Sequence, residues 1–196
     1  MSEPRRASVL ALAVLLSATG SGALAQDVYP ADISPPAGTR YPCALTALPR
    51  ELAGVPEADR AFVNRTYARI LRATQAKLVV LQALEAEAGA RAAVDTYLEA
   101  TAALATRQQA DAVPAGLEPF QKDVLAAIEL QRAFFGKALG LREGGHGLAE
   151  AYRLPEGRQA SVHLVAAWTS MQARHPAWSA ETRDSIYHHL CALDLF

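Results

Sequence analysis

Residues 179–196 read SAETRDSIYHHLCALDLF and predict an amphipathic helix at the end of the chain. Ser179 is a residue type favoured at helix N-caps. Apolar side chains then recur at spacings of three and four, the period of one buried helical face. They are Ile186, Leu190 and Leu193. Cys191 also lies in this stretch. The stretch therefore contributes both an apolar core stripe and one of the cysteines of the chain to the predicted fold.

Four upstream segments show the same helical period, and no segment shows a sustained alternation of period two. They begin near residues 56, 90, 118 and 155. Three of these starts carry a proline, which is favoured in the first turn of a helix. We therefore predict an all-α protein, with a bundle of four or five helices over residues 56–196.

The segment that begins near Pro155 is predicted to end by Arg174, because Pro176 disfavours helical geometry at His175. Its apolar side chains mark the side that we expect to be buried. They are Leu164, Val165, Trp168 and Met171. Glycines in residues 140–154 predict the longest loop of the helical body. Such a loop is either a connector or a lid.

The first 25 residues have the three parts of a secretory signal peptide. Arg5 and Arg6 form the charged start, residues 7–18 form an apolar run, and Ala-Leu-Ala at residues 23–25 forms a cleavage site. The run is shorter than the roughly 20 apolar residues that span a bilayer. We predict an exported protein with no membrane anchor after cleavage, periplasmic if the host is Gram-negative and otherwise secreted.

Residues 26–55 differ from the helical segments, because prolines interrupt every candidate period. We predict an extended, proline-rich arm that contains Cys43. Its larger apolar side chains are available to pack on the helical body. They are Tyr29, Tyr41, Leu45 and Leu48.

Cys43 and Cys191 are the two cysteines of the chain. In an exported protein an even pair predicts a disulfide, which would tie the arm to the last helix. The alternatives are a metal site or a catalytic thiol, but two distant cysteines lack the clustered spacing of zinc ligands. From residue 43 to residue 191 the predicted loop spans 148 positions.

The net charge of the chain argues against two classes of partner. Without Glu3, Arg5 and Arg6 of the signal, the 19 basic and 20 acidic residues become 17 and 19, a formal charge of about −2. This balance provides no attraction to nucleic acid or to anionic membranes. The predicted partner is a protein or a small ligand whose identity these residues do not specify.

One cluster on the last two helices has ligand chemistry. Asp184, His188 and Cys191 stand at i, i+4 and i+7, so they should share one helical face. An antiparallel preceding helix would bring His163 to the level of His188 and His189. A carboxylate with two or three imidazoles is a ligand set for zinc or copper. The cluster predicts a metal-binding protein or metal-dependent enzyme as the alternative function, or acid–base catalysis. A simple i, i+4 pair explains it without a ligand.

Two other polar patterns have both a structural and a functional interpretation. Arg65, Arg69 and Arg72 recur along the first predicted helix, either as an anion-binding face or as a solvated flank. Gln131 falls inside the apolar stripe of the third helix. It is either a hydrogen-bonded core side chain or part of a ligand pocket.

No catalytic or cofactor motif accompanies these patterns. The glycines of GLREGGHG, residues 140–147, lack the lysine and hydroxyl residue of a phosphate loop. The chain also has no GxSxG nucleophile elbow. We therefore predict a non-catalytic binding or interaction module without a cofactor.

Overall fold

The computed structural model describes residues 54–86 and 88–195, which form six helices and no strand. The helices are α1 Glu57–Ala86, α2 Ala90–Ala110, α3 Glu118–Glu143, α4 Leu148–Ala151, α5 Pro155–Arg174 and α6 Ala180–Leu193. The prediction of an all-α fold is confirmed for this part of the chain.

The number of helices corrects the prediction of four or five. The extra element, α4, is a single turn of four residues inside residues 140–154, where the sequence predicts a loop. α3 also continues into that stretch, as far as Glu143. Glycine weakens a helix by about 1 kcal/mol, but the buried Phe135 and Leu139 hold this part of α3 against the core. Packing therefore outweighs the local preference of Gly136 and Gly140.

The five long helices pack as a closed ring of neighbours. α1 contacts α2, α2 contacts α3, α3 contacts α5, α5 contacts α6, and α6 returns to α1. The contact between α3 and α5 is the most extensive, and α4 packs on α3. α6 is therefore the helix that closes the bundle between α1 and α5.

Two apolar clusters fill the bundle. One contains the side chains of Tyr67 and Phe120, which meet edge to face with ring centroids 6.1 Å apart. The other contains Tyr97 and Phe135, whose centroids are 4.8 Å apart at 69°. Aromatic pairs in these orientations contribute about 0.5–1.5 kcal/mol beyond the burial of their area. Tyr67, Phe120 and Phe135 belong to the apolar stripes of three- and four-residue spacing in the sequences of α1 and α3.

The helix ends follow local sequence signals. The Ser179 side chain caps α6 by accepting a hydrogen bond from the backbone N–H of Thr182 at 3.1 Å. α5 begins at Pro155 and ends at Arg174, as the two prolines predict. Gly89, between α1 and α2, has a φ of 71°, a conformation that glycine adopts without a steric cost.

Several predicted features lie outside the described residues. They are the signal peptide over residues 1–25, the arm before Gly54, and Cys43, and all three stay predictions. The described end of the arm is attached to the bundle, because Val55 is buried in the same cluster as Tyr67. Within the described ranges, no helix combines the length and the apolar character needed to cross a membrane.

Candidate functional site

An apolar groove lies between α5 and α6 on the outside of the bundle, and we call it the α5–α6 groove. Trp168 of α5 and Tyr187 of α6 meet edge to face across it, with ring centroids 5.9 Å apart. The described residues that line it are Leu164, Val165, Trp168, Tyr187, Leu190, Cys191 and Asp194. The volume is about 110 Å³, whereas small-molecule sites hold roughly 300–1,000 Å³. The groove therefore fits an inserted side chain better than a cofactor.

Exposed apolar side chains lie in and beside this groove: Val165 and Tyr187 line it, and Val162 is three residues before Val165 on the same side of α5. Val162, Val165 and Tyr187 are 67%, 61% and 49% exposed. Together with the half-buried Trp168 they form what we call the apolar face. Clustered apolar exposure of this kind marks an interaction site more often than a scattered single residue does.

The exposure of Val165 corrects the sequence interpretation. The sequence places it with Leu164 and Met171 on the buried side of α5, but only those two are buried. Consecutive helical residues are separated by about 100° around the axis. Leu164 consequently faces the core, while Val165 turns outward beside the groove. α5 thus carries an apolar side chain on its outer surface.

His163 does not join the other residues of the predicted metal cluster. Its Nδ1 lies 2.8 Å from Oδ1 of Asp123 on α3. Ser161 of the same helix donates instead to Asp194, beyond the end of α6, at 2.5 Å. Residues two positions apart in a helix point in directions about 200° apart around the axis. Because Ser161 faces α6, His163 is directed away from it. The sequence interpretation accounted for the level of His163 along the bundle but not for its direction.

Asp184 and His188 do lie on the side of α6 that carries Cys191, but they form no site together. Asp184 is exposed and His188 is half-buried. Among the described residues, Nδ1 of His188 has no hydrogen-bond partner, so Asp184 does not orient the imidazole through that nitrogen. The predicted i, i+4 pair is therefore absent from the described hydrogen bonds.

His189 is a core side chain. It is fully buried and packs on Tyr67, with ring centroids 4.8 Å apart. Its Nδ1 lies 2.5 Å from the Ser185 carbonyl oxygen. Because a carbonyl only accepts, the proton is on Nδ1. Burial lowers the pKa of His189 from 6.5 to about 4, although the bond to Ser185 opposes this shift.

Acid is expected to weaken the bundle through His189. Its folded pKa of about 4 lies below the unfolded value of 6.5, so protons bind preferentially to the unfolded chain as the pH falls through that window. Between pH 7 and pH 4.5 this costs about 2 kcal/mol of unfolding free energy. Urea denaturation at both pH values measures it.

The matched control uses the neighbouring histidine. His189→Phe should lose this part of the pH dependence, whereas His188→Phe should keep it, because it retains the buried imidazole. Equal pH dependence in wild type and His189→Phe would show that the buried imidazole is not the group responsible.

No group of three or more His, Cys, Asp or Glu side chains in the described ranges is arranged to hold a metal ion. His163, His188 and His189 lie in three different environments: a hydrogen bond to α3, a half-buried helix surface and the core. The metal hypothesis for His163, Asp184, His188 and His189 therefore has no geometric support in the part of the chain that the structure describes.

The arginine row of α1 binds a carboxylate of the chain itself. Arg69 is 3% exposed, and its Nη1 donates to Asp111 at 2.8 Å and to Gln108 at 2.7 Å. Nε of Arg65 donates to the same carboxylate at 3.2 Å. These bonds connect α1 to the end of α2. At Arg65 and Arg69 the row is therefore neither a solvated flank nor a vacant anion-binding site.

Gln131 is a hydrogen-bonded core side chain, one of the two interpretations that the sequence leaves open. Its amide nitrogen donates to the Leu193 carbonyl at 2.6 Å, and the Tyr97 hydroxyl donates to its amide oxygen at 3.3 Å. The last turn of α6 is thereby connected to α3 and α2.

Lys77 is a buried group that the sequence interpretation missed. It is 1% exposed, and its Nζ donates to the carbonyl oxygens of Ala192 at 2.7 Å, Leu193 at 3.1 Å and Asp194. These carbonyls end α6, where helical hydrogen bonding leaves acceptors unsatisfied. Burial lowers the pKa of Lys77 from 10.5 to about 7, and Asp194 opposes that shift. The sequence does contain a signal for this buried group: a lysine that stands three residues after Thr74, within the apolar stripe of α1.

A second missed cluster joins the beginning of α1 to the end of α5. Asp59 is 3% exposed, and its Oδ2 lies 3.2 Å from Arg174 and 3.3 Å from Nε2 of His175. His175 stacks on Trp178 at 4.8 Å. Burial lowers the pKa of His175, Asp59 raises it and Arg174 lowers it. The cluster fixes the entry of α1 beside the turn between α5 and α6.

Comparisons of the sequence with known protein families, with curated proteins and with solved structures found no match.

Proposed function

We propose that the protein is an exported, non-catalytic helical module that binds a partner protein through the apolar face. The observation that supports this most directly is the exposure of Val162, Val165 and Tyr187 at 67%, 61% and 49%. In the described ranges the other exposed large apolar side chains, Val79 and Tyr152, belong to α1 and to the residue after α4.

The chemistry of the face favours a protein segment with apolar side chains. Fully burying one valine or aromatic side chain contributes roughly 1.5–3 kcal/mol, so covering the exposed part of the face supplies several kcal/mol. Tyrosine and tryptophan are enriched among the residues that dominate protein interfaces. The small groove between Trp168 and Tyr187 provides a place for one anchoring side chain of the partner.

Export and the disulfide are part of the same proposal. Residues 1–25 have the pattern of a secretory signal, and an oxidising compartment favours pairing of Cys43 with Cys191. In support, no cysteine is free among the described residues, and Cys191 lines the groove. The tethered arm would then border the partner-binding face.

Val165→Asp is expected to remove partner binding. A charged carboxylate placed in an interface without a counter-charge costs several kcal/mol, or at least a hundredfold in affinity. Tagged full-length protein, with and without a dithiol reductant, would be used to capture partners from the exported fraction. Captured proteins would be identified by mass spectrometry.

Val79→Asp is the matched control, because it makes the same change at a 45% exposed valine on α1. A partner retained by wild type and Val79→Asp but lost by Val165→Asp supports the proposal. The same captured set for all three proteins, or no reproducible protein with any of them, contradicts it. Circular dichroism confirms that both variants are folded.

A further inference from the structure

We infer that residues 41–48 of the arm occupy the α5–α6 groove in the disulfide-bonded protein and compete there with the partner. The inference rests on the proposed function for that partner and for the pairing of Cys43 with Cys191; the position of the segment is measured separately from partner binding. The occupant reads YPCALTAL and carries Tyr41, Leu45 and Leu48 around Cys43.

The first step is the anchoring point. Cys191 lines the groove and is not a free cysteine. Cys43 is the other cysteine of the chain. A disulfide holds its two Cα atoms roughly 4.4–6.8 Å apart. A bond between the two therefore places the neighbours of Cys43 beside the wall of the groove.

The second step is the reach of the chain. Asp59 contacts Arg174 and His175, so the arm emerges near the turn that precedes α6. Cys191 is 11 residues after Ala180, about 16 Å along the helix axis at 1.5 Å per residue. The 12 residues from Cys43 to Val55 extend to roughly 40 Å. The connection is long enough to follow α6 to the groove.

The third step is chemical fit. The groove has aliphatic and aromatic walls with a volume of about 110 Å³, which suits one side chain such as Leu45. Pro42 lies within the segment and Pro49 directly follows it; proline favours extended backbone and lacks an N–H donor. An extended segment with one inserted apolar side chain matches a narrow groove better than a helix would.

Photo-crosslinking locates the segment directly. p-Benzoylphenylalanine is placed at Leu45 in one full-length protein and at Tyr41 in another, and the cross-linked peptides are mapped by mass spectrometry. We expect links to residues 162–168 of α5 and to Tyr187. The opposite flank of α6 faces α1, so links confined to α1 would overturn the inference, as would the lack of any link to α5.

Fluorescence of Trp168 provides an independent readout, because the other tryptophan, Trp178, is only 5% exposed. Leu45→Asp/Leu48→Asp should increase acrylamide quenching at least twofold with the disulfide intact. Ile33→Asp, the same change outside the segment, should leave it unchanged. Equal quenching in both variants contradicts the inference.

Both measurements use the purified protein, so the position of the arm is determined even if partner capture fails. Adding a dithiol then tests competition. The reductant supplies two electrons and two protons, converts the disulfide to two thiols and itself becomes a cyclic disulfide. Partner capture should rise severalfold after reduction. If capture is unchanged while the cross-links to α5 are present, the segment occupies the groove but does not compete with the partner. If no partner is captured at all, the proposed function is refuted.

Discussion

Lys77→Met should lower the free energy of unfolding by about 3 kcal/mol at pH 7. Methionine keeps the length and the apolar stem of the side chain but removes the donor that serves three carbonyl oxygens at the end of α6. The Leu193 carbonyl keeps a second donor, the amide nitrogen of Gln131, so the loss falls on the carbonyls of Ala192 and Asp194. Each buried acceptor left without a donor costs roughly 1–3 kcal/mol. The cost of burying the ammonium group is also removed, so the net loss stays below the upper end of two such penalties. Urea denaturation measures it.

Lys122→Met is the control, because Lys122 is exposed on α3 and should change stability by less than about 0.5 kcal/mol. A pH series gives a second signature. The folded pKa of Lys77 is about 7 and the unfolded value is 10.5, so the unfolded chain holds more protons between these values. Wild type should therefore gain about 2 kcal/mol from pH 7 to pH 9, and Lys77→Met should not. Equal stability of Lys77→Met and wild type throughout would contradict the role of the amine.

Reduction of the predicted disulfide should cost up to about 5 kcal/mol, the upper end of what chain entropy predicts for so long a loop. The pairing of Cys43 with Cys191 removes conformations from the unfolded chain, and its absence restores them. Protein made in an oxidising compartment would be denatured with urea in the presence and absence of a dithiol. We expect the midpoint of the oxidised protein to be clearly higher.

The double variant Cys43→Ser/Cys191→Ser separates the bond from other effects of the reductant. Its stability should match that of the reduced wild type and should not respond to the dithiol. On a denaturing gel, non-reduced wild type should migrate faster than reduced wild type, and the double variant should not shift. Labelling of both cysteines as free thiols in the native exported protein would refute the pairing.

Much of the helical architecture follows from local sequence signals. Ser179, Pro155 and Pro176 mark the helix ends where the structure has them, because caps and proline act on the backbone of their own turn. The apolar periods identify the core faces, including Tyr67 and Phe135. α4 is the exception, since a four-residue turn has no period to detect.

The direction in which a side chain points around a helix axis is harder to predict from the sequence than its position along the helix. The level of His163 follows from antiparallel packing, but its pairing with Asp123 depends on the rotation of α5, which no single period specifies. Val165 was misassigned because residue type alone does not distinguish a core position from an exposed binding face. Lys77 is detectable as a charged residue in an apolar stripe, but its partners are backbone carbonyls more than a hundred residues away, and these carry no residue-specific signal.

The closed ring of helices also has a consequence for the order of folding. α1 ends at Ala86 and α6 begins at Ala180, so the contact that closes the ring joins segments far apart in the chain. Long loops close slowly, and contacts of this kind form late. Until α6 has been synthesised, α1 lacks its contacts with α6 and Lys77 lacks its acceptors. The proposed export would pass the chain in this incompletely folded state, which is the state that a narrow secretion channel requires.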